Sequence, residues 1–157
     1  MKPLNYSILF ILSLFMVACS NPPGNPLNQE ASLPASFDLT KMGLKVITSS
    51  INKKQATMST LYGNAAALKA ATDSTQHQPG ETFALVTWKQ KADGHWFGAN
   101  IPGDLQCVTL LKTTGQPGAI TFNYQKYTGK SLTLSADTVG NTATTKFILS
   151  ERASVMP

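Results

Sequence analysis

Residues 95–103 read HWFGANIPG and hold one of the two histidines and one of the two tryptophans of a 157-residue chain. His95 could bind a metal, a haem iron or a proton, and Trp96 and Phe97 could wall an apolar pocket. A metal centre needs several His, Cys or carboxylate side chains converging on one point. The other histidine, His77, stands eighteen positions away in the polar run Ser74-Thr75-Gln76-His77-Gln78, which reads as solvated loop. The acids Asp38, Asp73, Glu81, Asp93, Asp104, Asp137 and Glu151 fall at turns and element ends, where Asp serves local backbone hydrogen bonds. No catalytic group and no metal ligand is assigned from these residues.

Three short motifs fail on their context. Gly129-Lys130-Ser131 matches the end of a phosphate-binding loop, but the glycine required five residues earlier is Tyr124. Ser50-Ile51-Asn52-Lys53 has the serine–lysine spacing of penicillin-binding enzymes, with no Ser-Asp-Asn or Lys-Thr-Gly elsewhere. Cys-x-x-Cys-His, which attaches haem covalently, is absent. The net charge of +5 comes from scattered residues, with no basic run longer than Lys53-Lys54. Nucleic acid demands a concentrated basic patch, so it is excluded as a partner.

The first residues, MKPLNYSILFILSLFMVACS, carry Lys2 and then an uncharged apolar run from Ile8 to Ala18. A membrane-spanning helix needs roughly 20 apolar residues, so this shorter run reads as a secretory signal peptide over 1–18. Its end, Met16-Val17-Ala18-Cys19, resembles a bacterial lipobox, although Met16 stands where leucine is usual. The resemblance implies acylation of Cys19. Ser20, in place of an aspartate, implies the periplasmic face of the outer membrane. Each buried methylene contributes ~0.8 kcal/mol and firm attachment needs more than one chain, so the membrane becomes a partner through a multiply acylated cysteine. An acylated Cys19 leaves Cys107 without a disulfide partner. In the apolar setting Leu105-Gln106-Cys107-Val108 it reads as a small buried hydrophobe, with no cation nearby to activate it.

Residues 19–36 comprise the lipidated cysteine and a Pro-, Asn- and Ser-rich stretch expected as a flexible tether reaching about 23 Å. Leu33 and Phe37 are the residues of this region that could pack instead. The folded domain is expected over 37–157, long enough for a single core. Strands are expected at 44–48, 56–62, 81–91, 95–99, 105–113, 119–127, 132–136 and 144–149. Between them lies one helix over Ala65–Ala71, capped by Asn64. In the long central strand Phe83, Leu85 and Thr87 share one face, and Ala84, Val86 and Trp88 share the other. It should therefore be covered on both sides. Ala92-Asp93-Gly94 reads as a hairpin signal. The fold class is α+β: a mostly antiparallel sheet with one or two helices.

Residues 54–103, KQATMSTLYGNAAALKAATDSTQHQPGETFALVTWKQKADGHWFGANIPG, resemble the cytochrome P460 domain, with its Tyr-Gly-Asn, short helix, Pro-Gly turn and Val-Thr-Trp-Lys strand. Haem-bearing members of that family bind c-type haem in the periplasm and oxidise hydroxylamine or bind nitric oxide. The resemblance implies a cavity lined by Trp88, Trp96 and Phe97, with His95 available to a ligand and Lys89 nearest to the lysine that family enzymes cross-link to haem. The chain departs from it by lacking the haem-attachment motif and its iron ligand. Alternation along a regular strand also opposes one shared cavity, because it puts Trp96 on the face away from His95 and Phe97. The structural reading, with Trp96 as a core anchor, is preferred for His95 and its neighbours.

These observations together lead to an expected lipid-anchored, periplasmic, non-catalytic P460-like module. It would bind a small apolar molecule or a periplasmic partner protein. Two alternatives stand beside it: a haem-dependent redox or nitrogen-oxide enzyme holding haem noncovalently, and a structural envelope lipoprotein.

Overall fold

Within residues 82–92 five of the six positions 83–88 are apolar, so a strand formed there must be shielded on both faces. The computed structural model describes residues 28–137 and 139–154. In it this segment is strand β3 (Thr82–Ala92), third of six strands in an antiparallel sheet. The others are β1 (Lys45–Asn52), β2 (Thr57–Gly63), β4 (Asn100–Gln116), β5 (Ala119–Thr128) and β6 (Thr133–Leu134). Strand order follows chain order, so the sheet is a meander. Helix α1 (Ala65–Asp73) joins β2 to β3, and helix α2 (Asn141–Ser150) follows β6. The fold is α+β and mostly antiparallel, as composition and patterning predict.

The two faces of β3 feed two separate cores. Ala84, Val86 and Trp88 pack with Val108 and Leu110 of β4 and with Leu39, Leu44 and Leu132. Phe83 and Leu85 pack with Leu111, Leu61 and Ile47, and with Ala67 and Ala71 of α1 and Ile148 of α2. The helices therefore cover only one face. The other is covered by residues 28–44, which carry no regular secondary structure.

That covering strap corrects the expected tether. Residues 28–36 belong to the fold. Ala31 and Leu33 pack on the Trp88 face, and the Trp88 indole Nε1–H donates to the Ala31 carbonyl at 2.8 Å. The Leu105 N–H donates to the Glu30 carbonyl, Glu30 pairs with Lys91 at 2.6 Å, and the Asn28 amide donates to the Pro102 carbonyl at 2.7 Å. Phe37 meets Tyr127 edge-on at 5.6 Å. A segment without periodicity suits this role, because a strap needs only occasional apolar side chains to seal a face. The expected signal peptide over 1–18, Cys19 and residues 20–27 lie outside the described residues.

Two expected strands are not strands. Residues 144–149 lie in α2. The β-branched threonines there favour a strand, but Ile148 (1% exposed) anchors one helical face in the core, and such packing outweighs propensity. Residues 95–99 form a hairpin loop, with β4 beginning at Asn100. Strand β6 spans only Thr133–Leu134 of the expected 132–136. The Asn64 cap forms as expected: its Oδ1 accepts from the Ala67 N–H at 3.0 Å, and its Nδ2 ties Gly80 at 2.9 Å.

Helix α1 lies close on the sheet because Gly63 has no side chain. A methyl there would meet Ile47 Cδ1 at 2.6 Å and Ala67 Cβ at 2.8 Å. We expect Gly63→Ala to destabilise the protein by about 1–3 kcal/mol through overpacking. Phe83→Ala, which empties a fully buried site, should cost about 3–5 kcal/mol. Denaturant midpoints measure both, and unchanged midpoints would contradict the packing.

Candidate functional site

The sheet register sorts the helix-side face into rungs of different chemistry. Gly63, Phe83, Leu111 and Tyr124 lie side by side across β2 to β5. Beyond them come Leu61, Leu85, Thr109 and Lys126. The next rung is Ser50, Ser59, Thr87 and Cys107 across β1 to β4. The apolar residues of the first two rungs lie under α1 and Ile148. The hydroxyl and thiol rung forms the floor of a cleft of about 890 Å³, within the range of small-molecule sites.

One wall of the cleft is the flank of α2, with Ala143, Thr144 and Phe147, and another is the β1–β2 turn. Lys53 and Lys54 in that turn and Lys126 of β5 line it, and among the described residues no carboxylate does. Lys126 Nζ lies 3.6 Å from Asp137, so part of its charge is countered from outside the cleft. The Ser59 and Thr87 hydroxyls bond to each other at 3.0 Å. On the opposite flank of α2 a groove of about 650 Å³ runs over Phe122, Tyr124 and Leu149. It is smaller and more open, and offers fewer convergent polar groups.

Cys107 is half-buried on the cleft floor, and burial pushes its thiol pKa up, with smaller opposing pulls from the Thr87 hydrogen bond and the Lys126 charge. A raised pKa keeps the neutral thiol, so this group is a weak nucleophile at neutral pH. Its contribution to stability is full below the ordinary cysteine pKa and is lost as pH rises through the higher folded value.

The residues expected to line a pocket do not come together. Trp88 is buried on the strap side of the sheet, away from the cleft. His95, Trp96 and Phe97 sit at the tip of the β3–β4 loop, where the His95 side chain is 94% exposed and Phe97 is fully exposed. Trp96, expected as a core anchor, is 72% exposed. Lys89 is exposed on β3, opposite Thr57, and does not line the cleft. The surface beside Trp88 is filled by leucines of the strap and by Leu132. These residues do not fit a haem: the histidine faces solvent on a hairpin tip, and the tryptophan's free space is already occupied. Cys19 lies outside the described residues.

A buried pair escaped the sequence reading. His77, expected in solvent, is mostly buried, and Glu81 is only 1% exposed. His77 Nδ1 lies 2.6 Å from Glu81 Oε2, and its Nε2–H donates to the Leu149 carbonyl in the last turn of α2 at 2.9 Å. Glu81 Oε1 accepts from the Gln78 N–H at 2.8 Å. Thr113 Oγ1 accepts from the Glu81 N–H and donates to the Gln78 carbonyl. With both ring nitrogens engaged, His77 has no free nitrogen to offer a substrate. It instead satisfies a carbonyl that helix geometry leaves unpaired. A His and a Glu four residues apart were the available signal, hidden by the polar loop between them.

No protein-family model matches the chain, and no curated protein matches it in sequence.

Two outcomes are expected here. Alkylation of Cys107 by iodoacetamide at pH 8 should run at least roughly tenfold slower in the folded protein than in urea. His77→Ala should leave the buried Glu81 without its partner and cost about 3 kcal/mol, read from the denaturant midpoint. Equal alkylation rates, or an unmoved midpoint, would contradict the geometry.

Proposed function

We propose that this chain is a lipid-anchored periplasmic binding module with a P460-like α+β fold, and that its ligand site is the cleft between α2 and the sheet. The observation that carries this reading is the uncovered rung Ser50, Ser59, Thr87 and Cys107. Apolar packing covers this sheet face over Phe83 and Leu61 and leaves the polar rung open, and that rung offers hydroxyl donors and acceptors beside three lysines. Such a lining suits a small polar ligand with negative charge better than an apolar one, since an apolar ligand would strip water from the hydroxyls and lysines without replacing its hydrogen bonds. A binding rather than catalytic role is supported by the neutral Cys107 thiol and the fully engaged His77–Glu81 pair. The anchor rests on the lipobox-like Met16-Val17-Ala18-Cys19.

Thr144→Trp narrows the cleft from the half-exposed flank of α2 without touching the core. A thermal-shift screen of small carboxylates, phosphates and acidic sugars should find ligands whose affinity this variant weakens at least roughly tenfold, about 1.4 kcal/mol. Haemin is the control compound: a Soret shift abolished by His95→Ala would overturn the reading in favour of a haem protein. Failure of every anionic compound to stabilise the protein would remove the proposed ligand class.

A further inference from the structure

We infer that the β3–β4 hairpin tip is a membrane-contacting element, with Trp96 and Phe97 seated in the interfacial layer of the bilayer to which the chain is tethered. The inference rests on the proposed anchor at Cys19 for its geometry. Trp96 and Phe97 are the most exposed aromatic residues among those described, at 72% and 110%. The loop that holds them is closed by its own hydrogen bonds: the Asp93 N–H donates to the Ala99 carbonyl at 2.9 Å, and Asp93 Oδ1 accepts from the His95 N–H at 2.8 Å. Gly98, at φ +80°, allows the turn that follows Phe97. The aromatic pair is thus displayed by a built loop, at a cost in exposed apolar area that a water-facing tip would not recover.

The ties of Asn28 and Glu30 to this hairpin argue for the bilayer as the occupant. Asn28 is tied to Pro102, at the base of this same hairpin, and Glu30 is tied to Lys91 and Leu105 beside it. Cys19 and Asn28 are nine Cα-to-Cα steps apart, which extended span at most about 31 Å. A lipid on Cys19 therefore holds this end of the domain close to the bilayer.

Charge follows the same polarity. In the meander the β1–β2, β3–β4 and β5–β6 turns share one end of the sheet. That end carries Lys53, Lys54, Lys89, Lys91 and Lys130, against Glu30, Asp93 and Asp104. Glu30 and Lys91 pair with each other, which leaves Lys53, Lys54, Lys89 and Lys130 against Asp93 and Asp104. Indole favours the headgroup layer, and lysines favour anionic lipid. A two-residue tip is also too small for a stable protein interface, which covers about 800 Å² on each partner. The cleft, lined by the β1–β2 turn, then opens on the membrane side of the domain.

The test uses the mature protein purified from membranes, carrying Trp88→Phe so that Trp96 is the sole tryptophan, in vesicles of phosphatidylethanolamine and phosphatidylglycerol. Trp96 emission should shift to the blue and be quenched by lipids brominated on the acyl chain. An emission that stays that of a solvated indole, unquenched, would overturn the inference. Should Trp88→Phe fail to fold, the difference spectrum between the wild type and Trp96→Phe gives the same readout. The mass of the N-terminal peptide reports acylation of Cys19 separately. Quenching without acylation sustains the tip contact and sinks the anchor; acylation without quenching does the reverse.

Discussion

A central strand that is apolar on both faces is the constraint from which the rest of this architecture follows. Ala84, Val86 and Trp88 on one side and Phe83 and Leu85 on the other leave β3 unable to face water anywhere along its middle. Burying such side chains contributes about 1.5–3 kcal/mol each, so both sides must be closed. Two helices close one side. They are short and neither reaches the other side, which the irregular strap of residues 28–44 closes. Trp88 fixes that strap by giving its one polar hydrogen to the Ala31 carbonyl. An indole buried without this partner would leave a donor unsatisfied.

The helix side is closed only in part, and there the opportunity for binding arises. Helix α1 sits against β1 and β2, drawn in by Gly63, while α2 is pinned at its C-terminal end by Ile148 and by the His77 bond to Leu149. The chain beyond α2 holds that end too: the Ala153 N–H bonds the Ala71 carbonyl, and the Ser154 N–H bonds the Ile47 carbonyl. Ile47 falls at the irregularity between Val46 and Thr48 in the edge strand β1, where its carbonyl turns away from the ladder. The N-terminal turns of α2 stand over the polar rung without filling it. Sheet chemistry and helix anchoring thus coincide: the rung of Phe83 and Leu111 is covered, and the rung of hydroxyls and the thiol is open.

The alternation in residues 83–88 was legible because a period of two reports directly on which side chains share a face. The helix over Ala65–Ala71 and its Asn64 cap were legible for the same local reason. Register was not. That Ser50, Ser59, Thr87 and Cys107 form one rung depends on pairings between strands up to 57 positions apart, which no local pattern encodes. Apolar character misled at Trp96 and Phe97, where two aromatics in a row resemble a strand although nothing packs on them. It misled again at 144–149, where the threonines suggest a strand and only the distant pocket around Ile148 makes a helix. The strap lacked periodicity because a covering segment needs none, and His77 lacked an apolar setting because its partner came from four residues downstream. The resemblance to the P460 domain assigned Trp88 and Trp96 to one cavity, whereas the fold separates them between a sealed face and a loop tip.

If the Trp88 face is sealed by residues 28–44, the open cleft is the larger space available to a small ligand. The Trp88 indole N–H is the direct reporter. In a two-dimensional NMR spectrum it should show through-space contacts to Ala31 and Leu33, and its hydrogen should exchange with solvent orders of magnitude more slowly than that of Trp96. A Trp88 indole hydrogen that exchanges as fast as that of Trp96, with no contact to Ala31, would contradict the account. It would reopen that face as a pocket.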